Sequence, residues 1–275
     1  MRTFVSSIFQ FGPDRYRPDP AYGAAPFNTK FFAASIGAIA FLIPVVALIG
    51  TQLGLCDFDS VSHYYYAPVV GDLFVGYLFA VAALLFGYRG QHASEAVLAR
   101  WAGVFALGVA LLPTRDSGCQ DPSFTARTLV DWVQSPQGPV PTGATFNTLS
   151  LVGNLHFVSA GLLFFLLAFY AGFVFTRPTP GQDLSAPSQN KIWRNRIYVA
   201  SAVVIVTAIV VLGGRAGNLA LTGEMDDPTG HWRRGNLTFW FEAAALAAFG
   251  ISWLIKGRLF FGFLEDPDPK PTSEA

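Results

Sequence analysis

The sequence predicts an all-α fold, a polytopic transmembrane bundle of six spanning helices with both termini in the cytoplasm. Three observations carry that prediction. Apolar residues make up 52% of the 275 and charged residues only 13%, whereas a soluble domain carries about 25% charged residues to cover its surface. Six apolar stretches are each long enough to cross a hydrocarbon core of about 30 Å at about 1.5 Å per residue. Lys and Arg, finally, are distributed unevenly between alternate loops.

The stretches run Phe31–Leu55, Gly71–Tyr88, Val97–Pro113, Thr148–Thr176, Ile197–Gly214 and Leu237–Ile255. Residues 1–30 form a cytoplasmic N-terminal segment, in which FVSSIF is too short for the apolar region of a signal peptide. Residues 31–256 form the six-helix domain, with outer loops at 56–70, 114–147 and 215–236. A short interfacial helix is expected at Ser123–Val133 inside the second outer loop. Residues 257–275 form a charged, Pro-rich cytoplasmic tail, disordered at its end.

Positive loops stay cytoplasmic, so Lys and Arg set the orientation. Thirteen of them fall on one side (Arg2, Arg15, Arg17, Lys30, Arg89, Arg100, Arg177, Lys191, Arg194, Arg196, Lys256, Arg258 and Lys270). The other side holds five, Arg115, Arg127, Arg215, Arg233 and Arg234, which completes the eighteen. This asymmetry puts both termini inside and makes the chain a multi-pass inner-membrane protein. Cys56 and Cys119 both fall in outer loops, where an oxidising compartment allows them to pair. Gly103, Ala106, Gly108 and Ala110 in the third span, with Ala243, Ala244, Ala247 and Ala248 in the sixth, allow close helix approach. Pro44 interrupts the first.

Net charge is zero and pI about 6.9, which argues against nucleic-acid binding. The ionisable residues within the six stretches are Asp72, Arg100, His156 and Glu242, and nothing acidic or basic is expected deep in the inner half. Glu242 lies about 9 Å below the outer boundary, and His156 at similar depth. A carboxylate there is costly unless paired or wetted, so it marks either a functional site or a helix-joining bond to His156 or Arg215. The first outer loop, DFDSVSHYYYAPVVGD, adds Ser62, His63 and Tyr65 before Asp72, read as opening the second helix. Asp72 also suits a capping role there, and the tyrosines suit an interfacial belt. Arg115 and Asp116 suit an exposed ion pair, and His92 a solvated inner loop. With Asn154 and Ser159, these residues outline an outer-facing polar pocket of Ser62, His63, Tyr65, Asp72, Asn154, His156, Ser159 and Glu242.

Three histidines on that side, His63, His156 and His231, with Asp72 and Glu242 nearby, have the donor types to hold zinc with an open position for water. No HxxxH or HExxH spacing fixes two of them on one face. Ser62 or Ser159 could serve a Ser-His-carboxylate set, but there is no GxSxG elbow. Walker, CxxCH and GxGxxG motifs are missing, so no other cofactor is indicated.

The runs SVSHYYYAPVVGDLFVG, ARWAGVFALGVALLPT, NRIYVASAVVIV and FWFEAAALAAFGISWLIKG resemble a family of bacterial polytopic membrane proteins without an assigned function. More remotely, the six-helix plan with its outer polar loop is similar to the damage-regulated autophagy modulator and Sfk-type membrane proteins. The resemblance implies the topology and leaves the activity open. The zinc amidases of the ceramidase superfamily differ, because this chain lacks their paired histidines on the last helix and has one span fewer.

The expected function is that of an integral inner-membrane protein whose outer-facing pocket takes a lipid headgroup or small ligand. A membrane-embedded metal-dependent hydrolase and an accessory subunit of a larger membrane complex are the alternatives. Expected partners are membrane lipids, then other membrane proteins or a second copy of the chain.

Overall fold

Six helices among the described residues of the computed structural model are long and apolar enough to cross a membrane. They are α1 Thr29–Gln52, α2 Pro68–Gly87, α3 Ala93–Leu111, α4 Ser150–Phe169, α5 Gln189–Thr222 and α6 Leu237–Lys256. The structure describes residues 29–55, 57–90, 93–112, 114, 150–177, 188–222, 227 and 230–258. No strand occurs among the described residues. The fold is therefore the all-α, multi-pass bundle that the composition predicts.

Each helix packs on its neighbours in sequence, and α6 closes the ring onto α1 through the most extensive interface of the bundle. Glycine sets that closure. A Cβ on Gly37 would lie 2.7 Å from the Gly250 carbonyl oxygen, and one on Gly250 would lie 2.8 Å from that of Gly37. Neither position can carry a side chain without pushing two backbones apart. The expected small-residue contacts of α3 are also present. Gly103 faces the Ala82 carbonyl of α2, Gly108 sits against Ser159 of α4, and Ala106 and Ala110 are buried.

The bundle has two ends. One, the terminal end, carries Thr29, the α2–α3 connection, Gln189 and Lys256. The loop end carries a 3-10 turn, Val61–Tyr66, between α1 and α2. Ser60 caps that turn by accepting from the Ser62 amide at 3.1 Å, and Tyr64, Tyr65 and Tyr66 are buried beneath it. These three tyrosines are core, not an interfacial belt. At the terminal end α4 relaxes into a π turn, Tyr170–Val174, where the Phe175 amide reaches back to the Tyr170 carbonyl at 2.9 Å. That turn sends Tyr170 and Phe175 inward among the rings of Tyr88, Tyr198, Phe249 and Trp253.

Several element limits depart from the hydropathy reading. α2 begins at Pro68, whose missing N–H suits a first turn, so Asp72 is its fifth residue, exposed, and does not cap it. α3 begins at Ala93, which brings Glu95 into the bundle. α5 runs on both sides of the apolar stretch for 34 residues, or about 51 Å. Polar residues can continue a helix beyond the hydrocarbon, where hydropathy no longer marks it. Pro44 is buried within α1. The expected interfacial helix Ser123–Val133, the Arg115–Asp116 pair, His92 and both members of the expected Cys56–Cys119 bond lie outside the described residues.

Candidate functional site

At the loop end, the 3-10 turn receives the carboxylate of α6. Ser60 Oγ and the Val61 amide donate to Glu242 Oε2 at 2.8 and 2.7 Å. The expected partners of Glu242, His156 and Arg215, are instead engaged elsewhere. His156 is 1% exposed, with Nδ1 2.7 Å from the Leu112 carbonyl oxygen. A carbonyl can only accept, so Nδ1 carries the proton. Nε2 is left a buried acceptor with no hydrogen-bond partner among the described residues. Arg215 lies over the Trp232 ring, 4.0 Å from its centre. Both corrections have one cause. Depth along the bundle does not fix which residues face each other around the ring, and the turn after α1 brings amide donors to Glu242 first.

His63 Nδ1 lies 2.6 Å from Asp59 Oδ1. That hydrogen bond is the main reason the Asp59 carboxyl sits below its ordinary range, against the opposing effect of partial burial. The neighbouring loop is tied to α6 as well, because Asn236 Nδ2 donates to Asp57 Oδ2 at 2.8 Å and the Phe239 amide to the Asp59 carbonyl at 2.8 Å. Of the sequence-predicted pocket, then, Ser62 and Glu242 meet through Ser60, and His63 stands beside them on the same turn. Tyr65 is core, Ser159 packs on Gly108, and Asp72 and Asn154 are exposed. His231 is exposed at the start of a single helical turn, His231–Arg234. Among the described residues, no group of three or more His, Cys, Asp or Glu side chains is placed to hold a metal ion.

A cavity of about 230 Å³ opens at the other end of the bundle. Its wall includes Lys30, Lys191, Arg194, Lys256 and Arg258, with the rings of Tyr88, Phe175 and Tyr198. Residues at or beside the ends of α1, α2, α4, α5 and α6 contribute, which is why the lining is both charged and aromatic. Lys30 comes from the first turn of α1, Lys191 and Arg194 from the first turns of α5, and Lys256 from the last turn of α6. Lys191 Nζ donates to the Arg177 carbonyl at 2.8 Å, and Lys256 Nζ stands 5.3 Å from the centre of the Phe175 ring. Arg258 holds φ +56°, a left-handed conformation that costs a non-glycine residue about 1–2 kcal/mol. Such backbone strain is often found at ligand clamps.

Beside the cavity lies Glu95, 2% exposed, with Oε1 3.9 Å from Arg177 Nη1. Gly90, at φ +61°, makes room for it, since a Cβ there would lie 2.1 Å from Glu95 Oε2. The Tyr170 hydroxyl donates to the Glu95 backbone carbonyl. The hydropathy reading passed over this site, counting its cations only as markers of topology. The legible signal was the coincidence of Tyr88, Lys191, Tyr198 and Lys256, each within about two turns of a span end on one side.

No protein-family model, no curated protein and no solved structure matches this chain.

Proposed function

We propose that this protein is a multi-pass inner-membrane protein that binds an anionic ligand, a lipid headgroup or small anion, in the cavity at its terminal end. One observation carries the reading: five cationic side chains from α1, α5, α6 and the residue after its cap line a single cavity of about 230 Å³. Like charges brought together repel, and an anion between them offsets that repulsion. The sequence places this end on the cytoplasmic side, where basic pockets between helices meet anionic headgroups. The loop end supports ligand binding less, because Ser60, Val61 and Glu242, and Asp59 and His63, are already bonded to one another.

The experiment is thermal melting of the purified protein in neutral detergent, titrated separately with phosphate, sulfate and citrate. A ligand bound only by the folded state raises the melting temperature. Polyvalent anions should do so, and Lys30→Glu with Arg194→Glu should remove the effect. Melting indifferent to every anion would overturn the reading.

A further inference from the structure

We infer that the anion taken at the terminal end is a phosphate monoester, with the Tyr88 hydroxyl donating to its deepest oxygen; this rests on the anion-binding reading above. Tyr88 lines the cavity and is 1% exposed. Its hydroxyl is buried and has no hydrogen-bond partner among the described residues. The same holds for Nε1 of Trp253, whose ring centre lies 5.0 Å from that of Tyr88. A buried donor without an acceptor is costly, and buried polar groups are otherwise nearly always paired. Tyr88 stands in the wall of a cavity rimmed with cations, so the missing acceptor belongs to a ligand and is anionic.

Charge and shape then narrow the ligand. A monoester carries about −1.5 to −2 at neutral pH and three acceptor oxygens. A carboxylate or a phosphodiester carries one charge. Five cations line the cavity. They attract a dianion more strongly than a monoanion. Three oxygens spread in space can also meet Tyr88 below and the Lys and Arg heads around it, whereas a planar carboxylate offers two in one plane.

Size narrows it further. About 230 Å³ falls below the roughly 300–1,000 Å³ of pockets that enclose a whole small ligand. The cavity therefore takes a head, with the remainder of the molecule outside. Its lining comes from helix ends, and the phosphates of a bilayer lie just outside its hydrocarbon core, where spanning helices end. A lipid with a terminal phosphate and a soluble phosphate ester share this chemistry.

The test compares the protein in nanodiscs of phosphatidylcholine alone, of phosphatidylcholine with phosphatidic acid, and of phosphatidylcholine with phosphatidylglycerol at equal mole fraction. Inorganic phosphate and acetate are titrated into the first. Phosphatidic acid should raise the melting temperature more than phosphatidylglycerol, or phosphate more than acetate. The first result assigns a lipid source and the second a soluble one, and either supports the proposal. Equal responses within both pairs would overturn the monoester and leave anion binding standing. No response in any arm would overturn both.

Tyr88→Phe supplies a readout that a purely structural tyrosine would not move. Removing an unpaired buried hydroxyl should leave the ligand-free protein as stable as before or more so. Affinity for the preferred phosphate should fall about tenfold, equivalent to ~1.4 kcal/mol. Unchanged affinity would remove Tyr88 from the site. Lys30→Gln, at an exposed position, should weaken phosphate severalfold and flatten its salt dependence. An unaltered salt dependence there would count against the cationic rim.

Discussion

Ser60 Oγ donates a 2.8 Å hydrogen bond to Glu242 Oε2 across 182 residues of sequence. With the Val61 amide on the same oxygen, it ties the start of the 3-10 turn to α6. An ionised acceptor makes such bonds short and strong. Glu242→Gln keeps an acceptor and loses the charge, so it should cost about 1–2 kcal/mol. Glu242→Leu strands the Ser60 hydroxyl and the Val61 amide together and should cost about 2–4 kcal/mol. Melting curves of the two variants in detergent decide. A leucine variant as stable as wild type would show that this bond does not hold the turn.

Gly37 and Gly250 predict a contrast among helical glycines. Gly37→Ala puts a Cβ 2.7 Å from two backbone atoms, the Gly250 oxygen and the Leu254 nitrogen, neither of which can swing aside. It should destabilise by about 1–3 kcal/mol, as overpacking does. A Cβ on Gly213, in α5, meets nothing within 4 Å. Gly213→Ala should be neutral or stabilise by up to ~1 kcal/mol through helix propensity. Equal effects in the two variants would refute the close α1–α6 crossing.

The Asp59–His63 pair predicts a weak acid sensitivity. The folded carboxyl titrates below its ordinary value of 3.8, so its contribution is present above that value and is lost as pH falls through the folded one. Asp59 is 43% exposed at its side chain, which limits the contribution to less than about 1 kcal/mol. Asp59→Asn should melt slightly lower than wild type at pH 7, and the difference should shrink as pH falls below 3.8. A difference that persists in acid would mean the contact is steric.

How legible all this was depends on what hydropathy measures. α6 was readable because FWFEAAALAAFG is apolar and flanked by Asn236 and Gly257, and Glu242 stood out as the one acid within it. Its partner Ser60 was not, because nothing in DFDSVSHYYY reveals that the chain folds back as a 3-10 turn under α6. Glu95 was missed for a different reason. Apolar counting started the third span at Val97, yet α3 starts at Ala93, since a buried carboxylate facing Arg177 is allowed where an isolated one is not. Tyr88 carried no signal beyond its place at a span end. Its unpaired hydroxyl exists only in three dimensions.

The uneven Lys and Arg distribution predicts the orientation. Reporter fusions after Gln91 and Gln189 should read as cytoplasmic, and fusions after Ser117 and Thr222 as periplasmic. The opposite pattern would put the basic cavity on the outer face and remove cytoplasmic-leaflet lipids as its ligand.

Glu95 predicts two effects of opposite sign from one substitution. Its carboxylate is 2% exposed and 3.9 Å from Arg177, and it also interacts electrostatically with Lys256, which lines the cavity. Glu95→Gln keeps the size of the side chain and leaves the Tyr170 bond to the backbone carbonyl untouched. It removes the negative charge that offsets Arg177 and Lys256. Stripping one partner from a fully buried pair costs about 3–5 kcal/mol, but Arg177 is 20% exposed and water recovers part of that. The ligand-free variant should therefore lose about 1–2 kcal/mol of stability. Any anion entering the cavity no longer meets Glu95 as a like charge, so phosphate should bind severalfold more tightly than to wild type. Melting temperatures with and without saturating phosphate measure both effects in one experiment, and the phosphate-induced shift should be larger in the variant. A smaller shift would mean that Glu95 builds the site by holding its cations in place, and the electrostatic account of the cavity would fail.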